Sequence, residues 1–189
     1  PDLIVANDTR ENFCFLNKAG RSFQEAALFL GLGYNDYGIA QAGMGLASGD
    51  VSGRQREAVF MTHFEDDTNT LYLPGKDGLY DEGTFPAGLG SASYPYLGWG
   101  TFFFDAEGDG DLDLFVANGH VAPQVDGLRS TVGYRQRNQL FLNGGRGIFK
   151  ERREALPDEK NSRRSSRGAA CGDLDGDGDP DIVVNNIDA

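Results

Sequence analysis

The chain carries 189 residues, the size of one ordinary domain or of a piece of a larger one. Seventeen Lys and Arg against 29 Asp and Glu leave a net charge of −12, which argues against nucleic acid or an anionic membrane as the main partner. Glycine, at 27 residues, is about twice as common as usual while proline stays at 7, so many tight turns fit better than a fibre or a disordered linker.

In chain order, an apolar strand runs from Asp2 to Asn7, a second from Asn12 to Asn17, and a short third from Ser22 to Glu25. Glu25 to Leu30 is the best helical stretch, and Gly31-Leu32-Gly33 ends it. A Gly-rich strand, Gly43 to Leu46, then leads to an acidic loop. The same series recurs as Ala58 to His63, Asn69 to Pro74, Leu79 to Glu82 and Gly98 to Phe104. It recurs again as Asp113 to Asn118, Asn138 to Asn143, Ile148 to Glu151 and Gly168 to Gly172. A further copy opens at Asp181 to Asn186. Phe102-Phe103-Phe104 is a continuous apolar run, which predicts a strand covered on both faces.

Successive copies start about 56, 55 and 68 residues apart, and four short strands per period fit the blade of a β-propeller. The expected fold is therefore all-β: a propeller segment of about three four-stranded blades with calcium-binding loops between strands. Blade units run roughly 1–57, 58–112 and 113–180, with a further blade starting at 181–189. A propeller closes with roughly four to eight blades, so the array reads as part of a longer chain.

The strongest chemical signal precedes two of the repeat-opening strands. Asp173, Asp175, Asp177 and Asp181 occupy positions 1, 3, 5 and 9 of one loop, and Asp105, Glu107, Asp109 and Asp113 those of another. Gly178 and Gly110 stand at position 6, where a sharp turn is needed. Asp179 and Asp111, at position 7, would contribute their backbone carbonyls. Hard oxygen donors in this number suit Ca²⁺ better than Mg²⁺. An EF-hand is rejected, because position 12 is Val116 or Val184 inside a strand where that motif needs Glu and a helix. Four like charges in nine residues repel strongly unless a cation sits among them.

The Asp-x-Asp-x-Asp-Gly-x-x-Asp loop followed by a strand resembles the FG-GAP (VCBS-type) repeats of integrin-like calcium-binding propellers. Gln41-Ala42-Gly43-Met44-Gly45, Tyr134-Arg135-Gln136-Arg137-Asn138 and Ser165 to Ala170 through Asn185-Asn186 resemble, more narrowly, proteins that carry an ASPIC/UnbV domain after such repeats, the cartilage acidic protein group. The resemblance implies a propeller of about seven blades, secreted or surface-exposed, with further blades upstream and the ASPIC/UnbV domain downstream.

The second repeat departs from the pattern. Its loop keeps Asp50 at position 1 and Ser52 at position 3, but Arg54, Gln55 and Ala58 replace the groups at positions 5, 6 and 9. It is expected to hold no metal, with the guanidinium of Arg54 or Arg56 pairing with Asp50 in the ion's place. Asp2 corresponds to position 9 of a loop that is otherwise missing.

No run of apolar residues approaches the ~20 of a membrane helix. Cys14 and Cys171 are expected to be buried free thiols, and His63 and His120 polar residues where loops begin. Lys150 to Arg167 holds seven basic residues against four acids and reads as a solvated connector or a docking loop for an acidic partner. No Ser-His-Asp set, nucleotide loop or zinc spacing can be assembled. The functional expectation is a non-enzymatic, calcium-binding extracellular, periplasmic or cell-surface module. It would act in protein interaction or as a scaffold, its partner being a protein or the remaining blades of the same propeller. The alternative is the framework of a secreted enzyme whose catalytic residues lie elsewhere.

Overall fold

A computed structural model describes residues 1–128, 132–156 and 163–187. Lys160, one of the basic residues of the 150–167 stretch, lies outside them. The architecture is all-β, in four antiparallel sheets taken in chain order. The first contains β1 (Leu3–Val5), β2 (Phe13–Lys18) and β3 (Ser22–Glu25). The second contains β4 (Leu46–Gly49), β5 (Ala58–Met61), β6 (Thr70–Pro74) and β7 (Tyr80–Glu82). The third contains β8 (Gly98–Phe104), β9 (Asp113–Asn118), β10 (Gln139–Asn143) and β11 (Phe149–Glu151). The last pairs β12 (Ser166–Gly172) with β13 (Asp181–Asn186). Each acidic loop thus joins the first strand of a sheet to the second, so the sequence period runs through parts of two sheets.

Two of the repeat-opening strands, β5 and β9, are buried along their whole length because both faces are covered. On β5, Val59 and Met61 pack towards the first sheet with Cys14 and Leu32, while Ala58 and Phe60 pack towards the third with Leu114 and Phe141. On β9, Leu114 and Val116 share that second cluster, while Phe115 and Ala117 join Leu140, Ile182 and Val184. The Phe102–Phe104 run divides in the same way. Phe103 lies edge-on to Phe60 at 6.3 Å, and Phe102 stacks on Phe115 at 5.3 Å.

The first strands of successive sheets approach backbone to backbone: β4 packs on β8, and β8 on β12. A Cβ at Gly45 would strike the Trp99 carbonyl, and one at Gly100 the backbone of Arg167 to Ala169. The Gly-rich character of these strands is therefore a close-approach requirement. Gly43 and Met44 hold the junction between the first two sheets, with amides bonded to the carbonyls of Asn7 and Thr62. Strand β4 accordingly begins at Leu46, later than the Gly43 to Leu46 expected from sequence.

The short helix α1 (Ala27–Leu30) stops at Gly31, whose φ of 82° supplies the left-handed cap. A second one-turn helix, α2 (Gly90–Ser93), and a 3₁₀ turn at Pro123–Gly127 carry no periodic signal in the sequence. Cys14 is buried as expected, but Cys171 is exposed. Cys171 pairs with Ile182 next to the end of β12, in a sheet with no third strand beside β13 among the described residues. His63 stands where a loop begins, as expected, and its ring is fully buried there.

Candidate metal centre

The loops at 105–113 and 173–181 fold by one rule. The position-1 carboxylate turns back into its own loop and accepts backbone amides. Asp105 Oδ1 accepts from Gly108 and Asp109 at 2.8 and 3.1 Å, and its Oδ2 from Gly110 at 2.9 Å. Asp173 accepts from Gly176 and Gly178 at 2.7 and 3.1 Å. Glycine carries the positive φ this turn requires: 70° and 90° at Gly108 and Gly110, 81° and 95° at Gly176 and Gly178.

In the 173–181 loop the result is a cluster. Ligand oxygens of Asp173, Asp175 and Asp177 lie within 4.8 Å of one another, all on exposed residues. Three anionic oxygen donors converging on one point are the donor set a hard divalent cation accepts, so the residues fit Ca²⁺. Asp179, at position 7, gives its amide to Asp177 Oδ1 at 2.9 Å. In the 105–113 loop Asp111 gives its amide to Asp109 Oδ1 in the same way, and Glu107 is exposed. There the side chains of Asp105, Glu107 and Asp109 are not drawn together as tightly. Among the candidate ligands the longer Glu107 side chain at position 3 is the difference between the two loops, which also differ at positions 2 and 8.

Position 9 has a framework role that the spacing did not reveal. Asp113 is fully buried; its Oδ2 accepts the Ala106 amide at 2.8 Å and its Oδ1 the Asn143 amide at 2.8 Å. Asp181 accepts the Leu174 amide in the same manner at 2.9 Å. These bonds close the loop onto its strand, while each carboxylate oxygen keeps a second lone pair. Burial pushes the Asp113 carboxyl up. The amides of Asn143 and Ala106 pull it down, and the charges of Asp109 and Asp105 push it up again. A bound cation would offset both the burial and the repulsion.

Asn143 and Asn17 are partners of this site that the motif does not name. Asp2 Oδ1 accepts the Asn17 amide at 2.7 Å, as Asp113 does that of Asn143, so Asp2 does occupy position 9. The side-chain amides of Asn17 and Asn143 then bond the carbonyls of Pro1 and Leu112, which are equivalent residues. In the second repeat the corresponding positions are Ala58 and Pro74, so both members of the pair are replaced together.

The 50–58 loop keeps the backbone of the other two without their ligands. Asp50 accepts the amides of Ser52 and Arg54 at 3.1 and 3.2 Å, and that of Gln55 by a short bond. These bonds hold its carboxyl below the usual range against the opposing effect of burial. The expected guanidinium substitute is corrected here: among the described residues no ion pair joins Asp50 to Arg54 or Arg56. Backbone amides neutralise Asp50 because the turn already aims three of them at it.

Gln55 pays for that turn, with φ at 57° where the other loops have glycine. Gln55→Gly is expected to stabilise the chain by about 1 kcal/mol, a midpoint rise of roughly 2–4 °C. A thermal melt with no rise would show that the left-handed backbone at residue 55 carries no strain.

The two histidines follow equivalent strands. His120 Nδ1 accepts the Ala122 amide at 3.0 Å, leaving Nε2 to donate to Glu65 at 3.1 Å. That contact ties a loop of the second sheet to a loop of the third. Of the basic 150–167 stretch, Arg153 pairs with Glu151, and Arg167 stacks on Trp99 at 4.3 Å.

Residues 130–184 match the model of a family described as FG-GAP-like repeat. This segment contains β10, β11, β12, the 173–181 loop and most of β13, and the match supports the FG-GAP repeat family. No curated protein matches the chain.

Proposed function

We propose that this chain is a non-enzymatic, calcium-binding β-propeller module that acts outside the cytoplasm in protein interaction or as a structural scaffold. The single observation that carries the reading is the convergence of Asp173, Asp175 and Asp177 inside a matched FG-GAP-like repeat. Asp173, Asp175, Asp177 and Asp181 with the Asp179 carbonyl would hold one ion. Asp105, Glu107, Asp109 and Asp113 with the Asp111 carbonyl would hold the other. When bound, Ca²⁺ supplies charge neutralisation and cross-links the loop, and no helix pair flanks either loop to be opened by it. An open carboxylate loop of this kind suits millimolar extracellular calcium.

The packing of β4 on β8 and of β8 on β12 supports reading the sheets as successive propeller blades. The first and last sheets expose apolar residues, among them Leu3, Phe13, Val183 and Ile187, which further blades or a protein partner would cover. The Gln41 to Gly45 and Tyr134 to Asn138 segments support placing the chain beside the ASPIC/UnbV proteins. Calorimetric titration of the chelated protein with Ca²⁺ is expected to give two sites per chain, and Asp177→Ala one. No binding at 1 mM Ca²⁺ would sink the reading, and a third site would place an ion in the 50–58 loop.

A further inference from the structure

Arg54 and Arg56 do not pair with Asp50; both line a groove. This groove has a volume of about 520 Å³ and is bounded by the 50–58 loop, the β6–β7 hairpin and the β10–β11 hairpin of the neighbouring sheet. Arg54 and Arg56 enter from the first, Lys76 from the second and Arg146 from the third, with Asp81 the single acidic residue on the lining. Leu73 and Pro74 add an apolar wall. In a chain of net charge −12, four cations around one acid is a local reversal of sign. Among the described residues none of the four cations has a carboxylate within 4.0 Å.

The position of this groove explains its chemistry. In the acidic loops, positions 5 and 7 are Asp109 and Asp111 or Asp177 and Asp179; here the same turn presents Arg54 and Arg56. The 50–58 turn is held without them, since Asp50 is occupied by the backbone amides. The neighbouring hairpin is fixed against the loop as well: Asn143 Nδ2 donates to the Val51 carbonyl at 2.9 Å. Arg146, at its tip with φ at 64°, lines the same groove as the two arginines. Four like charges brought together on separate, fixed loops leave a local positive potential that an anion would relieve.

We propose that this groove binds an anionic ester group, a sulfate or phosphate carried on a sugar-sized ligand. The planar guanidinium fork matches the tetrahedral oxyanion with paired hydrogen bonds, and the lysine adds a point charge. The volume falls in the range of small-ligand sites and suits a mono- or disaccharide unit against the Leu73–Pro74 wall.

The test is calorimetric titration at 50 mM NaCl and 1 mM Ca²⁺ with three probes. These are a sulfated heparin tetrasaccharide, fructose 1,6-bisphosphate and the neutral chitotetraose. Binding of the tetrasaccharide alone assigns a sulfated sugar, and binding of the bisphosphate alone assigns a phosphate ester. Neither binding, or chitotetraose binding equally well, overturns the proposal. Arg54→Ala with Arg56→Ala is expected to weaken binding about fivefold to tenfold, as is Lys76→Ala with Arg146→Ala. Arg152→Ala with Arg153→Ala, on a different part of the surface, should leave it unchanged. If Arg54→Ala/Arg56→Ala does not fold, judged by far-ultraviolet circular dichroism, the Lys76→Ala/Arg146→Ala pair carries the test. Affinity that survives the folded variants, or that does not fall between 50 and 300 mM NaCl, overturns the site.

Discussion

Chelating calcium should lower the thermal midpoint of this chain by roughly 10–20 °C, and restoring 1 mM Ca²⁺ should return it. For a site with Kd near 10 μM in about 1 mM Ca²⁺, binding to the folded state alone contributes about 2.7 kcal/mol. Two such sites reach ~5 kcal/mol, a large share of the 5–15 kcal/mol typical of a domain. For a chain of this length each kcal/mol moves the midpoint by roughly 2–4 °C. The effect should divide between the loops. Asp177→Ala removes one of three converging carboxylates and should abolish most of the contribution of its own loop. Asp50→Ala should behave differently, because Asp50 accepts amides of its own turn and its loss should destabilise equally with and without calcium. A midpoint unmoved by EGTA would remove calcium from the account of this fold.

Much of this architecture is legible in the sequence because its signals are local and repeated. Strands β9 and β13 are bounded as read, each opening on the position-9 Asp and closing on Asn. The asparagines that open the second strands are also legible. Asn12, Asn69 and Asn138 each turn a side-chain oxygen onto the amide of an equivalent residue: Asn7, His63 and Asn118. What escapes is set by contacts across the chain. Cys171 aligns with Phe103, which packs on Phe60 of the second sheet, yet Cys171 itself is exposed near the end of a two-stranded sheet. The region from Thr84 to Leu97 has no hydrophobic period, so α2 and the buried Ser93 at its end gave no signal. The pairing of Asp113 with Asn143 was visible only as a coincidence of repeats. It could have been found by noting that Ala58 and Pro74 replace both members at once.

The last large effect is a loss of stability in mild acid that comes from one residue. His63 stands where the first and third repeats have Asn7 and Asn118, and its ring is fully buried. Burial drives its pKa down from 6.5 to about 4; the Asp67 charge and the Ala42 backbone oppose this and are outweighed. The folded state therefore holds a neutral imidazole through a range in which the unfolded chain takes up a proton. The stability His63 permits is complete above pH ~6.5, declines as pH falls, and is exhausted near the folded pKa. At about 1.4 kcal/mol per pH unit the loss reaches roughly 2 kcal/mol by pH 5 and roughly 3 kcal/mol by pH 4. Carboxylates titrate mostly below pH 5, so the interval from 6.5 to 5 reports mainly on histidine, and comparison with His63→Asn separates His63 from His120. His63→Asn, which restores the residue of the neighbouring repeats, is expected to flatten urea-unfolding stability across that interval. The His63 ring resonances of the folded wild type should stay those of the neutral imidazole down to pH 5. A slope that persists in His63→Asn, or a His63 ring that protonates near pH 6.5 in the folded chain, would assign the acid sensitivity elsewhere.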